Sequence, residues 1–164
     1  MDSVLKNRPL LRCEPGYGAI ICLTCNNAFP KTPIIHHLRR SHHILADLYR
    51  PILECFEHET LAKDWSNLSR PIDGSAPIEG LKIRTGYGCM ECGFRTTSDH
   101  VIKGHSKCGR RVHRVHLQCW NSQGAPAYWI VTSPAQDSII ANGSQVGSFH
   151  SRSKPCFVIY LLTT

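Results

Sequence analysis

The spacing of apolar and polar positions divides the chain into segments of different period. Across residues 44–65, Leu45, Leu48, Ile52, Leu53, Phe56 and Leu61 recur at mostly three- to four-residue steps, as on an amphipathic helix. Pro51 interrupts that period, which predicts a short turn and then a helix over 51–62. Segments 111–120 and 128–132 are rich in β-branched and aromatic residues and flank a turn-prone stretch at 121–126. They predict a β-hairpin within 110–132. Residues 66–80, rich in Ser, Pro, Gly and Asp, read as a linker. Residues 133–155 carry little apolar content, so a disordered tail is expected over 133–164, its abruptly apolar end CFVIYLLTT suited to an added strand.

The longest apolar runs, at 128–131 and 156–162, are far shorter than the roughly 20 residues of a membrane span. The start, MDSVLKNRPLLRC, lacks the apolar stretch of about 7–15 residues that a secretory signal needs, so an intracellular protein is expected. In that compartment thiols stay reduced, and nine cysteines, an odd number, argue for metal binding over a disulfide framework.

The cysteines are paired. Cys22 and Cys25 form one CxxC, Cys89 and Cys92 another, and histidines follow each. Zinc takes thiolate sulfur and imidazole nitrogen tetrahedrally, and a CxxC turn supplies two such ligands. After Cys25 come eleven residues to His37 and four more to His42, close to a C2H2 finger over 11–43. Thr32 and Pro33 read as an N-cap and first helical residue, starting a helix that runs to about Ser41. His37 and His42 are five apart, so the last turn must tighten or fray to aim both rings at one ion, with His36 or His43 as substitutes. Phe29 and Ile34 are the expected apolar plugs.

Gly-Tyr-Gly precedes both pairs, at Gly16 and at Gly86, which suggests an internal duplication. Twelve residues separate Cys92 from His105, giving a second finger over 81–109, its helix capped within Thr97-Ser98-Asp99 and cored by Ile102. Position 110 is arginine, so the fourth ligand falls to Cys108, one helical turn after His105, with His113 as the alternative. Cys55 reads as a buried small residue and His58 as a surface one. On a strand His113 and His116 point to opposite sides, so RRVHRVHLQCW is not expected to form a site of its own. The fold expected is therefore small α+β: two ββα-type zinc fingers joined by a helix and linker, then a β-hairpin and a disordered tail.

The segments GYGAIICLTC, HHLRRSHH, GLKIRTGYGCMECGF, RVHLQCW and AYWIV resemble the fungal domain of unknown function found in orsellinic acid biosynthesis cluster protein D. The resemblance covers 11–132. It implies two separated C2H2-type fingers followed by a Gln beside aromatic residues, here Gln118 and Trp120. It places zinc on Cys22, Cys25, His37 and His42, and on Cys89, Cys92 and His105. The fourth ligand of the second site departs from the pattern. Similar domains also accompany larger fungal proteins of helicase or recombinase type.

Charge adds a partner class. The formal net charge is +7, with ten further histidines, which suits a polyanion, DNA or RNA. Arg39, Arg40, Arg110, Arg111 and Arg114 are the cations expected at phosphates, and the class of protein points to the nucleus. The 67 residues from Cys22 to Cys89 are too many for finger arrays that read successive base triplets, and Ile34, Ile35 and His36 stand where base readers present Arg, Asn or Gln. The alternative is a protein-interaction scaffold in which an apolar helix across 45–61 docks a partner. No HExxH, GxSxG, Walker loop or paired-carboxylate arrangement occurs, and four protein ligands leave zinc no open position, so no catalysis and no small-molecule substrate are expected.

Overall fold

Leu11 and Cys13 alternate along one strand, face Cys22 and Ile20 on the next, and Ile20 in turn faces Phe29. Strand pairing thus gathers five buried side chains on one face of a sheet. The computed structural model describes residues 9–105, 108, 111–122, 126–132 and 156–160. The chain divides into two units, the first comprising Met1–Arg70 with Ser151–Thr164, the second Pro71–His150.

In the first unit, β1 (Pro9–Glu14), β2 (Ala19–Cys22) and β3 (Asn27–Phe29) precede α1 (Lys31–Ser41) and α2 (Ala46–Glu54). Ile34 and Leu38 of α1, and Tyr49, Ile52 and Leu53 of α2 with Phe56 beyond it, complete the core against the sheet. The β1–β2 turn needs Gly18, which has φ +71°, donates no side chain, and lies so close to a crossing segment that a Cβ would stand 2.7 Å from the Ala62 nitrogen. That segment also caps α1. The Lys31 and Thr32 N–H groups donate to the carbonyls of Ala62 (2.8 Å) and Lys63 (3.2 Å), satisfying two orphan donors of the first turn. The helix therefore starts before the expected Thr32 cap: Pro30 is the N-cap, with no side-chain cap bond, and Pro33 sits in the first turn where its missing N–H costs nothing.

The expected helix over 51–62 is corrected. Helix α2 begins at Ala46 and holds Pro51 inside it. In so short a helix the proline deletes a single bond on an exposed position, while Tyr49, Ile52, Leu53 and Phe56 reach the core at helical spacing. After Glu54 the chain continues through tight turns rather than helix. Tyr49 takes the place expected of Leu45 and Leu48, which stay 65% and 51% exposed. Within the tail expected to be disordered, β8 (Cys156–Tyr160) pairs antiparallel with β1 and supplies the edge of the order β3-β2-β1-β8. Residues 133–155 and 161–164 lie outside the described residues.

In the second unit, β4 (Arg84–Cys89), β5 (Arg95–Thr96), α3 (Asp99–Lys103), β6 (Val112–Gln118) and β7 (Trp129–Val131) give a second four-stranded sheet, order β5-β4-β6-β7. The hairpin β6–β7 is part of that sheet and not an appendage, because β6 pairs with β4 along the whole length of β4, from Arg84 opposite Leu117 to Cys89 opposite Val112. The stretch read as a linker is fixed from residue 73 onward. Asp73 accepts from the Ile130 N–H and pairs with Arg95, and Ser75 bridges Val131. Buried Gln118 holds the next turn, accepting from the Ile78 N–H (2.9 Å) and donating to the carbonyls of Ile78 (2.9 Å) and Leu81 (3.1 Å). Trp129 is fully buried with its ring 4.8 Å from that of Trp120.

Candidate metal centres

The first cluster is assembled by three elements of the first unit. Strand β2 ends on Cys22, and the turn carrying Cys25 reverses at Asn26, whose φ of 54° a short amide side chain tolerates. Helix α1 presents His37 two turns in. Five residues on, His42 is the C-cap with φ −117°, so the chain has left the helix and can swing its ring back to the ion-sized gap, the fraying that the spacing requires. His43 follows with φ 53° and Ile44 donates to the Leu38 carbonyl, a left-handed stop that fixes the turn.

The donor atoms of Cys22, Cys25, His37 and His42 lie within 4.8 Å of one another. His42 Nε2 is 3.3 Å from Cys22 Sγ, 3.3 Å from Cys25 Sγ and 3.1 Å from His37 Nε2. One imidazole nitrogen makes one hydrogen bond, so three such neighbours are not satisfied by hydrogen bonding. A tetrahedral ion with bonds of about 2.0–2.3 Å spaces its donors by about 3.3–3.8 Å, which matches the two sulfur contacts and lies within about 0.2 Å of the His37–His42 distance. The residues present therefore fit a metal ion. Burial pushes the Cys22 thiol up to about 11 and the His37 imidazole down to about 4, the latter helped by His42. Burial likewise lowers His42. Both rings thus offer a lone pair at neutral pH, and a cation would relieve the cost of ionising a buried thiol. Phe29 stacks on His37 with ring centres 4.2 Å apart and holds its plane. Phe29 and Ile34 are both buried beside the cluster, and His36 and His43 are exposed and outside it.

The second cluster repeats the logic with less scaffolding. Cys89 ends β4, Gly93 with φ 69° turns the knuckle, and the Cys89 N–H donates to the Phe94 carbonyl. The Ser98 hydroxyl caps α3 by accepting from the Val101 N–H (3.3 Å), and His105 follows the helix by one residue beyond Gly104. Cys89, Cys92, His105 and Cys108 bring their donor atoms within 4.8 Å, with Cys92 Sγ 3.3 Å from His105 Nε2. Hydrogen bonds from the backbone of Cys92 and Glu91 lower the Cys89 thiol to about 6, while the neighbouring Cys92 sulfur raises Cys108 to about 12. His113 lies exposed on β6 and is not in the group. Phe94 stacks on His105 at 4.9 Å, so each cluster has one imidazole backed by a phenyl ring. Spacing alone missed this, since Phe29 follows Cys25 by four residues and Phe94 follows Cys92 by two.

Of the expected phosphate-facing cations, Arg39 and Arg40 are exposed at the end of α1 and Arg111 and Arg114 are exposed at β6. Arg110 lies outside the described residues. The sequence reading missed Arg50 of α2, which joins Arg39, His43, Leu45 and Tyr49 around an open cleft of about 600 Å³. Among the described residues no helix is long and apolar enough to cross a membrane.

The model of the family described as orsellinic acid/F9775 biosynthesis cluster protein D matches residues 9–112. A curated relative of that same description, from Emericella nidulans, is 31% identical over 100 residues, covering 60% of this chain and 20% of the relative. The chain thus spans about a fifth of the length of that relative. No solved structure matches it. Because the matched span exceeds half the chain and contains both four-donor clusters, the chain belongs to the orsellinic acid/F9775 biosynthesis cluster protein D family.

Proposed function

We propose that the chain is a non-catalytic, zinc-stabilised module of two fingers, one of Cys2His2 and one of Cys3His type, that binds nucleic acid through its basic surfaces in the nucleus. The observation that carries the metal reading is the convergence of three donor atoms on His42 Nε2. Tetrahedral sets of two or three sulfurs with nitrogen suit zinc over the harder divalent ions. The chain orders β2, β3, α1 and β4, β5, α3 support a ββα reading of the two fingers. Four protein donors close each site, so the ion would serve as a fold-stabilising crosslink with no position for a reacting water. In the family's longer members, this module would serve a larger fungal protein.

The nucleic-acid reading is supported by the net charge of +7 and by the exposed Arg39, Arg40, Arg111 and Arg114. Phosphate contacts release counterions, so duplex DNA affinity should fall steeply with salt, and Arg39→Ala should weaken binding and reduce the logarithmic salt slope by about one. Binding indifferent to salt removes this reading. The exposed Leu48 on α2 and Leu45 at its N-cap favour a second one, a protein-interaction scaffold, and capture of a partner that survives nuclease treatment would establish it. Elemental analysis tests the zinc itself: two ions per chain are expected, falling to one in Cys25→Ser and in Cys92→Ser.

A further inference from the structure

The two clusters differ in what protects their thiols. In the first, Cys22 is fully buried and the ligand-bearing helix is eleven residues long, seated on a shared core. In the second, Cys92 is exposed, the neighbouring Met90 is 64% exposed, and the helix is five residues long with Ile102 its one buried residue. The second cluster also carries three sulfurs against two. Sulfur is the oxidisable donor, and its attack rate follows access and thiolate character. Cys108 lies on a bend outside any helix or strand, whereas Cys89 is buried at the end of β4 with its N–H donating to the Phe94 carbonyl.

We propose that Cys92 and Cys108 form a thiol-modification site for hydroperoxides, whose oxidation to a disulfide expels the second ion and leaves the first in place. This rests on the reading of both clusters as zinc sites. The Cys92 thiolate attacks one peroxide oxygen, the O–O bond breaks, and a sulfenic acid forms as the leaving oxygen takes a proton to become water. The Cys108 thiolate then attacks the Cys92 sulfur, the S–O bond breaks, and the departing hydroxide takes a second proton. Two thiolates, one hydrogen peroxide and two protons thereby become one disulfide and two waters, with sulfur oxidised and peroxide reduced. Cys89 and His105 alone do not retain a tetrahedral ion, which departs as the same divalent cation. The sulfurs need close only to about 2.05 Å from a cluster already within 4.8 Å.

The test treats the zinc-bound chain with stepwise hydrogen peroxide, reading zinc release with a chromogenic chelator and disulfides by peptide mass mapping. The expected result is one ion released per chain, a Cys92–Cys108 crosslinked peptide, and Cys22 and Cys25 still available for alkylation after unfolding. In Cys108→Ser, dimedone should trap a sulfenic acid on Cys92. Release of both ions at the same peroxide dose, or first oxidation at Cys22–Cys25 or Cys89–Cys92, overturns the proposal while leaving the zinc reading intact. A chain holding no ion before treatment overturns both.

Discussion

Single side chains here do work that spacing does not announce. Gln118 is the clearest: its amide satisfies the Ile78 N–H and two carbonyls in a fully buried place. Gln118→Leu keeps the volume but strands an N–H and a carbonyl, so it should cost about 3 kcal/mol, measured by urea unfolding. His37 sets a pH dependence. Its folded value of about 4 lies below the ordinary 6.5, so between these the unfolded chain binds the proton that the folded ring refuses. Stability should therefore be intact above about pH 6.5 and decline as pH falls toward 4, followed as the denaturant midpoint against pH. A metal on the same nitrogen acts in the same direction. The cluster histidines were legible because a tetrahedral metal site constrains residue type and spacing together. Their backing rings, Phe29 and Phe94, were not, since stacking fixes a place in space without fixing a place in the chain.

Elements show where local signals give way to packing. Thr32-Pro33 is a sound capping pair, yet α1 starts earlier because backbone carbonyls from 62–63 cap it instead, and an acceptor so far along the chain leaves no local mark. The paired Gly-Tyr-Gly motifs are likewise not equivalent. The first spans the turn between β1 and β2, while the second lies inside β4, three residues nearer its cysteine. In the second, Gly86 is needed for a different reason, since a Cβ there would meet Leu117 Cδ1 at 2.5 Å. Pro51 was read as a helix start on its usual meaning, but burial of Tyr49, Ile52 and Leu53 outweighs one lost bond. Pro51→Ala should accordingly stabilise the protein by about 1–2 kcal/mol, after allowing for the looser unfolded chain, and raise its urea midpoint.

For the whole molecule, fold class and the two four-donor sets were readable because both rest on short-range patterns. Strand order was not, because β4 with β6 and β1 with β8 pair across long stretches of chain. If zinc supplies the stability that these small cores lack, chelation should abolish much of the helical circular dichroism and open both units to protease, and readdition of zinc should restore them. Unchanged spectra and protease resistance would refute a metal-dependent fold.

The pairing of β1 with β8 has a consequence for biosynthesis. The first unit is discontinuous, with the second encoded inside it, so a nascent chain leaving the ribosome has β1 long before its edge partner exists. Until residues 156–160 emerge, β1 presents an unpaired row of backbone groups able to recruit a strand from a neighbouring polypeptide. Translational pausing or truncation before that point would then favour aggregation over native closure, making β8 a checkpoint on synthesis as well as a part of the sheet.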